Sequence, residues 1–171
     1  MNQVAVKEKT SGIYEFSLVP FDQVILVWDD VKKYLKKSAS RSGGRTRVED
    51  ILYDILNKQA YLWIIFDTGD FKITGVQVTL FNTYPTGKKM LNLEHTSGKN
   101  MQEWVEKGID IMTKFAKDNG CDGIEGMGRH GQWNWVKNKK GWKKPATFYE
   151  YNFEDDKWEN IKEAEVHNQQ K

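Results

Sequence analysis

The chain has 171 residues, 39% of them apolar and 29% charged, and a net charge of +2. That length suits one domain with a real core, and no run approaches the roughly 18 consecutive apolar residues of a membrane span. The polar start, MNQVAVKEKTSG, has no secretory core, the single Cys121 excludes an internal disulfide framework and suits a cytoplasmic protein, and the charge is too small to argue for nucleic acid.

Residues 1–12 read as a loose arm. Ile13 to Val19 alternates as a first strand before Pro20 breaks it. Asp22 is placed to cap a helix over about 22–37, whose apolar positions are Phe21, Ile25, Trp28, Val31 and Leu35. SASRSGGR (38–45) is a glycine-rich loop. Thr46 and Glu49 read as a capping box for a second helix over about 47–58. YLWIIF (61–66) is a short, nearly unbroken apolar run, as expected of a strand covered on both faces. Asp67 to Asp70 forms a turn. Phe71, Ile73, Val76, Val78 and Leu80 are expected to point inward, with a phase slip, hence a bulge, at Gly75. Tyr84 to Gly87 is another turn, and 89–95 is the third strand of a meander.

Asn100 and Glu103 are placed to cap the longest helix, with Met101, Trp104, Val105, Gly108, Met112, Phe115 and Ala116 on one face and Asn119-Gly120 as its stop. DGIEGM (122–127) is a short strand. A helix over about 131–140 carries Trp133 and Trp135, and 146–153 (ATFYEYNF) is a last strand. Residues 154–171 read as a polar tail. The domain is therefore 13–153, with order β-α-α-β-β-β-α-β-α-β and a mixed, mostly antiparallel α/β sheet flanked by helices.

This order resembles the GNAT N-acetyltransferase superfamily over about residues 13–153. It is carried by the meander, the long helix after it, and Gly141-Trp142, placed where that family has a glycine and an aromatic after its last helix. More narrowly, Gly120-Cys121-Asp122, Gly128-Arg129 and Trp133 resemble divergent GNAT-like proteins encoded by bacteriophages, some of them similar to internal virion proteins.

The resemblance implies acetyl-CoA as acyl donor, its pyrophosphate bound between the third meander strand and the long helix, where backbone amides and the helix dipole favour an anion. The segment there is His95-Thr96-Ser97-Gly98-Lys99-Asn100; it keeps Gly98 from the family's glycine pattern and lacks the rest. Thr96, Ser97, Gly98, Lys99 and Asn100, with Arg129 as a fork for phosphate or carboxylate, are the coenzyme candidates. The same segment also reads as a plain turn with a helix cap. For chemistry, the resemblance points to Glu94 or His95 as base at the end of the third strand. It points to Lys137 where the family has a tyrosine acid, a position equally suited to a solvated lysine. Strict alternation would let only one of Glu94 and His95 face a cleft.

Three histidines and one cysteine show no zinc spacing, so no metal is expected. Cys121 reads as a small core residue. Lysines 137–144 around Trp135 and Trp142 read as a solvated face. Arg41, Arg45 and Arg47 would suit an acidic acceptor or partner. Two functions stay open. One is an N-acyltransferase acting on a small-molecule or protein amine. The other is a non-catalytic phage virion or morphogenesis protein working through protein contacts.

Overall fold

The computed structural model describes residues 13–128, 130–151 and 153, which fall in two compact units, Met1–Trp135 and Val136–Lys171. The expected arm at 1–12 and tail at 154–171 lie outside the described residues.

In the first unit, β1 (Tyr14–Leu18) leads through a single turn of 3-10 helix (Phe21–Gln23) into α1 (Val24–Ala39). Asp22 sits inside that turn, so it does not cap α1; the cap position is Gln23. The turn also rotates the helix. Val24 is buried in place of Ile25, which is 59% exposed, while Val31 and Leu35 are buried as expected. Next is α2 (Val48–Leu56), which buries Val48, Ile51 and Ile55. Its cap is displaced by one residue from the expected Thr46–Glu49 pair. Asp50 Oδ2 accepts the Arg47 backbone N–H at 2.9 Å and the Arg47 Nε–H at 3.0 Å, because the arginine pays the carboxylate from both backbone and side chain.

The sheet follows in chain order as β1, β2 (Tyr61–Asp67), β3 (Ile73–Thr83), β4 (Lys89–Gly98) and β5 (Gly123–Glu125). The first three pairings are antiparallel and β4–β5 is parallel, joined by α3 (Met101–Asp118). The expected bulge is present: Ile65 pairs with Gly75 but Phe66 pairs with Ile73, so β3 carries one extra residue there. Phe71 does not point inward as expected. The turn extends to Lys72, Phe71 has φ 54°, and it is 77% exposed, stacked on Phe66.

Two layers of helix cover the sheet. On one face α1 and α2 enclose Leu62, Val76 and Val78. On the other, α3 packs Met112 and Ala116 on Trp63 and Leu91, and Trp104 against Tyr14 and Ile65. The Asn119-Gly120 stop is formed: Gly120 has φ 67°, its N–H donates to Lys117 O, and the Cys121 N–H donates to Ala116 O, the doubled bond pattern of a left-handed helix end. Cys121 packs against the same cluster, as a small core residue should, and burial pushes its thiol pKa up.

The last two expected elements are not formed as read. The helix α4 covers only His130–Trp133, and Trp135 lies in the turns after it. Gly141, at φ 90°, therefore follows a turn and not a helix end. No strand forms among the described residues of 146–153. Phe148, Tyr149, Tyr151 and Phe153 are 62–87% exposed. The aromatic preference for strands is a preference for a half-buried, paired surface, and among the described residues no strand of the sheet adds this segment to its edge.

Candidate functional site

The site is built by how β4 ends. Leu91 and Leu93 face α3, and Asn92 faces the opposite side. Then Val78 pairs with His95 while Thr79 pairs with Leu93, so Glu94 is an inserted residue with no partner on β3. Alternation slips at that bulge. Past it, Thr96 and Gly98 face α3, whereas His95 and Ser97 face α1. Glu94 Oε2 accepts the Asn92 Nδ2–H, which places its carboxylate on the α1 side too. The expectation that only one of Glu94 and His95 could face a given side is overturned: the inserted residue puts both on the same side.

Just here β5 leaves β4. The two strands pair only over Met90–Asn92 against Gly123–Glu125. Among the described residues, β4 beyond Asn92 has a strand partner on its β3 edge alone. Gly126, the residue after β5, still packs on Leu93, whose carbonyl oxygen would lie 3.3 Å from an added Cβ there. Past Leu93, alternate backbone groups on that edge face a notch between two parallel strands at their carboxyl ends, the position where open sheets of this type accept ligands.

The environments of the candidates differ. Glu94 is exposed. His95 is buried, with Nδ1 3.0 Å from Ser38 Oγ of α1. Burial pushes its imidazole pKa down, and the nearby Glu94 and Asp54 carboxylates offset part of that. A buried imidazole, its charged form disfavoured, and a carboxylate open to solvent thus lie side by side. On the other face, Thr96 Oγ1 donates to Gln77 Oε1, and the Trp63 Nε1–H donates to Thr79 Oγ1 at 3.1 Å, so the buried polar groups beneath the notch are satisfied.

The segment Thr96–Asn100 is not the loop that was expected. Thr96, Ser97 and Gly98 belong to β4, paired with Gln77, Val76 and Gly75. Only Lys99 and Asn100 connect to α3. A Cβ on Gly98 would lie 2.8 Å from Gly75 Cα, from Thr74 O and from the Trp104 ring, so its smallness admits Trp104. The Trp104 Nε1–H donates to Lys99 O at 2.8 Å and the Lys99 N–H to Thr74 O at 2.8 Å. Asn100 occupies the cap position of α3 with φ 50°, but neither it nor Glu103 caps through its side chain. Both meet Tyr14: the Tyr14 hydroxyl donates to Glu103 at 2.9 Å and accepts from Asn100 Nδ2 at 3.3 Å.

Lys137 is exposed in a turn of the second unit. Arg129 lies outside the described residues. Of the loop arginines, Arg47 is paired with Asp50 and Arg45 donates to Ser42 O at 2.8 Å. Sequence reading missed Glu125, whose carboxylate accepts from Asn82 Nδ2 at 2.7 Å and from the Tyr84 hydroxyl at 2.8 and 2.9 Å. No local signal marks it, because Asn82 and Tyr84 come from the far side of β4. The hydrogen bond to Glu125 raises the Tyr84 pKa. Among the described residues no group of His, Cys, Asp and Glu could hold a metal ion, and no helix is long and apolar enough to cross a membrane.

No family model matches this sequence, and no curated protein is similar to it in sequence. Solved structures are similar in shape. A glucosamine-6-phosphate N-acetyltransferase from Arabidopsis thaliana superimposes with a TM-score of 0.57 at 9% identity, over 82% of this chain and 99% of that one. A predicted acetyltransferase with acetyl-CoA from Clostridium acetobutylicum gives 0.58 at 13%, over 84% and 98%. An aminoglycoside acetyltransferase from an uncultured soil metagenomic sample, in complex with sisomicin, gives 0.61 at 9%, over 82% and 96%. The fold is that of the GNAT acetyltransferases.

Proposed function

We propose that this chain is an N-acyltransferase taking its acyl group from acetyl-CoA and passing it to an amine. One observation supports this most: the bulge at Glu94 coincides with the divergence of β4 from β5, giving a strand edge with free backbone groups beside an exposed carboxylate.

The residues present fit such a donor in part. The edge of β4 past Leu93 can hydrogen-bond an extended chain in the manner of an added strand. The first-turn amides of α3 and the Lys99 ammonium can face phosphate. Thr96 and Ser97 contribute as part of that strand, and Gly98 by keeping Trp104 close. When bound, a thioester supplies an activated acyl carbon. Glu94 then holds the acceptor amine and takes the proton that the nitrogen loses as its bond to the acyl carbon forms and the thioester C–S bond breaks, the thiolate leaving to be protonated by solvent. His95, buried and held by Ser38, stiffens the strand end that carries Glu94. The proposal assigns no step to Lys137, and Arg129 remains a candidate for phosphate.

Calorimetric titration with acetyl-CoA tests this. Saturable binding is expected, weakened by Lys99→Glu, with Glu94→Gln lowering turnover by about 10²-fold or more, the range of a positioned proton acceptor. Absence of binding at millimolar acetyl-CoA would end the proposal. It would favour the other reading, a non-catalytic interaction protein of the phage virion type, which draws support from the incomplete glycine pattern and the exposed aromatics at 148–153.

A further inference from the structure

Glu125 ends β5 on the lip of the notch. Its partners, Asn82 and Tyr84, are both neutral donors. Some other carboxylates of this chain have cations beside them: Asp29 has Lys32 at 2.6 Å, Asp50 has Arg47 at 2.9 Å, and Glu15 has Lys107 at 2.7 Å. Among the described residues no ion pair involves Glu125 or Glu94, although the chain carries 26 lysines and arginines. A carboxylate offers about four acceptor positions. Asn82 and Tyr84 fix the orientation of Glu125 and leave part of that capacity to a ligand.

The register places Glu125 beside Asn92 across the parallel pair, and Asn92 donates to Glu94. Both carboxylates therefore lie on the face opposite α3, one strand and one two-residue step apart. In regular strands that separates their Cα atoms by roughly 8 Å, a gap that a few methylene groups bridge.

We infer that Glu125 determines acceptor specificity, and that the acceptor is an amine bearing a second positive charge, a diamine or a larger polyamine. This rests on the acyltransferase reading of the notch. The amine to be acylated must be neutral to attack and sits at Glu94. The distal ammonium stays charged and pairs with Glu125, a contact that strengthens as water leaves the notch. The atom balance of the transfer is unchanged, because Glu125 only binds.

The test uses the full chain with 1,4-diaminobutane and 1-aminobutane as probes, titrated at low salt with and without acetyl-CoA. The diamine is expected to bind at least tenfold more tightly than the monoamine. Glu125→Gln, which keeps the shape, is expected to remove that preference without changing acetyl-CoA affinity. Equal binding of the two probes by the wild-type protein, or an undiminished preference in the variant, overturns the inference whatever acetyl-CoA does. A diamine preference lost in the variant, with no acetyl-CoA binding, upholds the recognition and rejects the acyltransferase reading. Should the variant fail to fold, the side-chain amide resonances of Asn82 and Asn92 in the wild-type protein decide. The diamine must shift them, and resonances that stay in place overturn the inference.

Discussion

Gly75 and Gly98 pair across β3 and β4 with the Trp104 ring over both. Two of the three atoms nearest a Cβ on Gly98 are backbone and cannot swing away. Gly98→Val is therefore expected to destabilise the protein by about 1–3 kcal/mol, as overpacking does, seen as a lower urea midpoint. Gly131→Ala, where nothing lies within 4 Å, should leave the midpoint unchanged. Loss of coenzyme binding in a Gly98 variant would thus report packing, which is why Lys99 is the better probe. His95 gives a second residue-level expectation. Its folded pKa lies below the ordinary value because burial disfavours the charged ring. The unfolded chain therefore takes up the proton first as pH falls. Stability from this group is complete above about pH 6.5, the unfolded value, and is lost as pH falls below it. Melting temperatures at pH 7.5 and 5.5 should drop more in the wild-type protein than in His95→Asn. Parallel drops would remove His95 as the cause.

At the scale of elements, the bulge in β4 decides which side chains meet which helix. Deleting Glu94 would remove the inserted residue and leave Leu93 and His95 paired with Thr79 and Val78, so the later side chains of β4 keep their faces. The cooperative thermal transition, and the near-ultraviolet dichroism of the buried Trp63 and Trp104, are therefore expected to persist in the deletion. Loss of either would show that the bulge itself is needed for the packing of β4. The bulge in β3 could be read from the sequence, because Gly75 breaks the alternation of a long apolar run. The one in β4 could not. Asn-Leu-Glu-His alternates acceptably in either phase, and only pairing with Val78 and Thr79 reveals the insertion.

At the scale of the whole molecule, the buried hydrophobic residues among those described lie between Tyr14 and Ala116, within the first unit. A chain ending at Trp135 is therefore expected to unfold cooperatively, with a denaturant midpoint close to that of the full chain. A non-cooperative transition would show that residues beyond 135 supply essential packing.

The α/β fold class was legible in the sequence because helices and strands of this chain carry their own periodicity. The α2 stripe of Val48, Ile51 and Ile55, the unbroken run of β2 and the Asn119-Gly120 stop are all local signals. The candidate site at the end of the third meander strand came from the resemblance of that element order to the GNAT superfamily. Only the tertiary structure decided which side chains face one another there. Glu125 gained its place through Asn82 and Tyr84, more than 40 residues earlier in the chain. The segment 146–153 has strand-like residues, yet among its described residues no strand forms. Periodicity is encoded within one segment, whereas pairing, register and the sharing of a face require a second segment to arrive, and no single stretch of sequence carries that information.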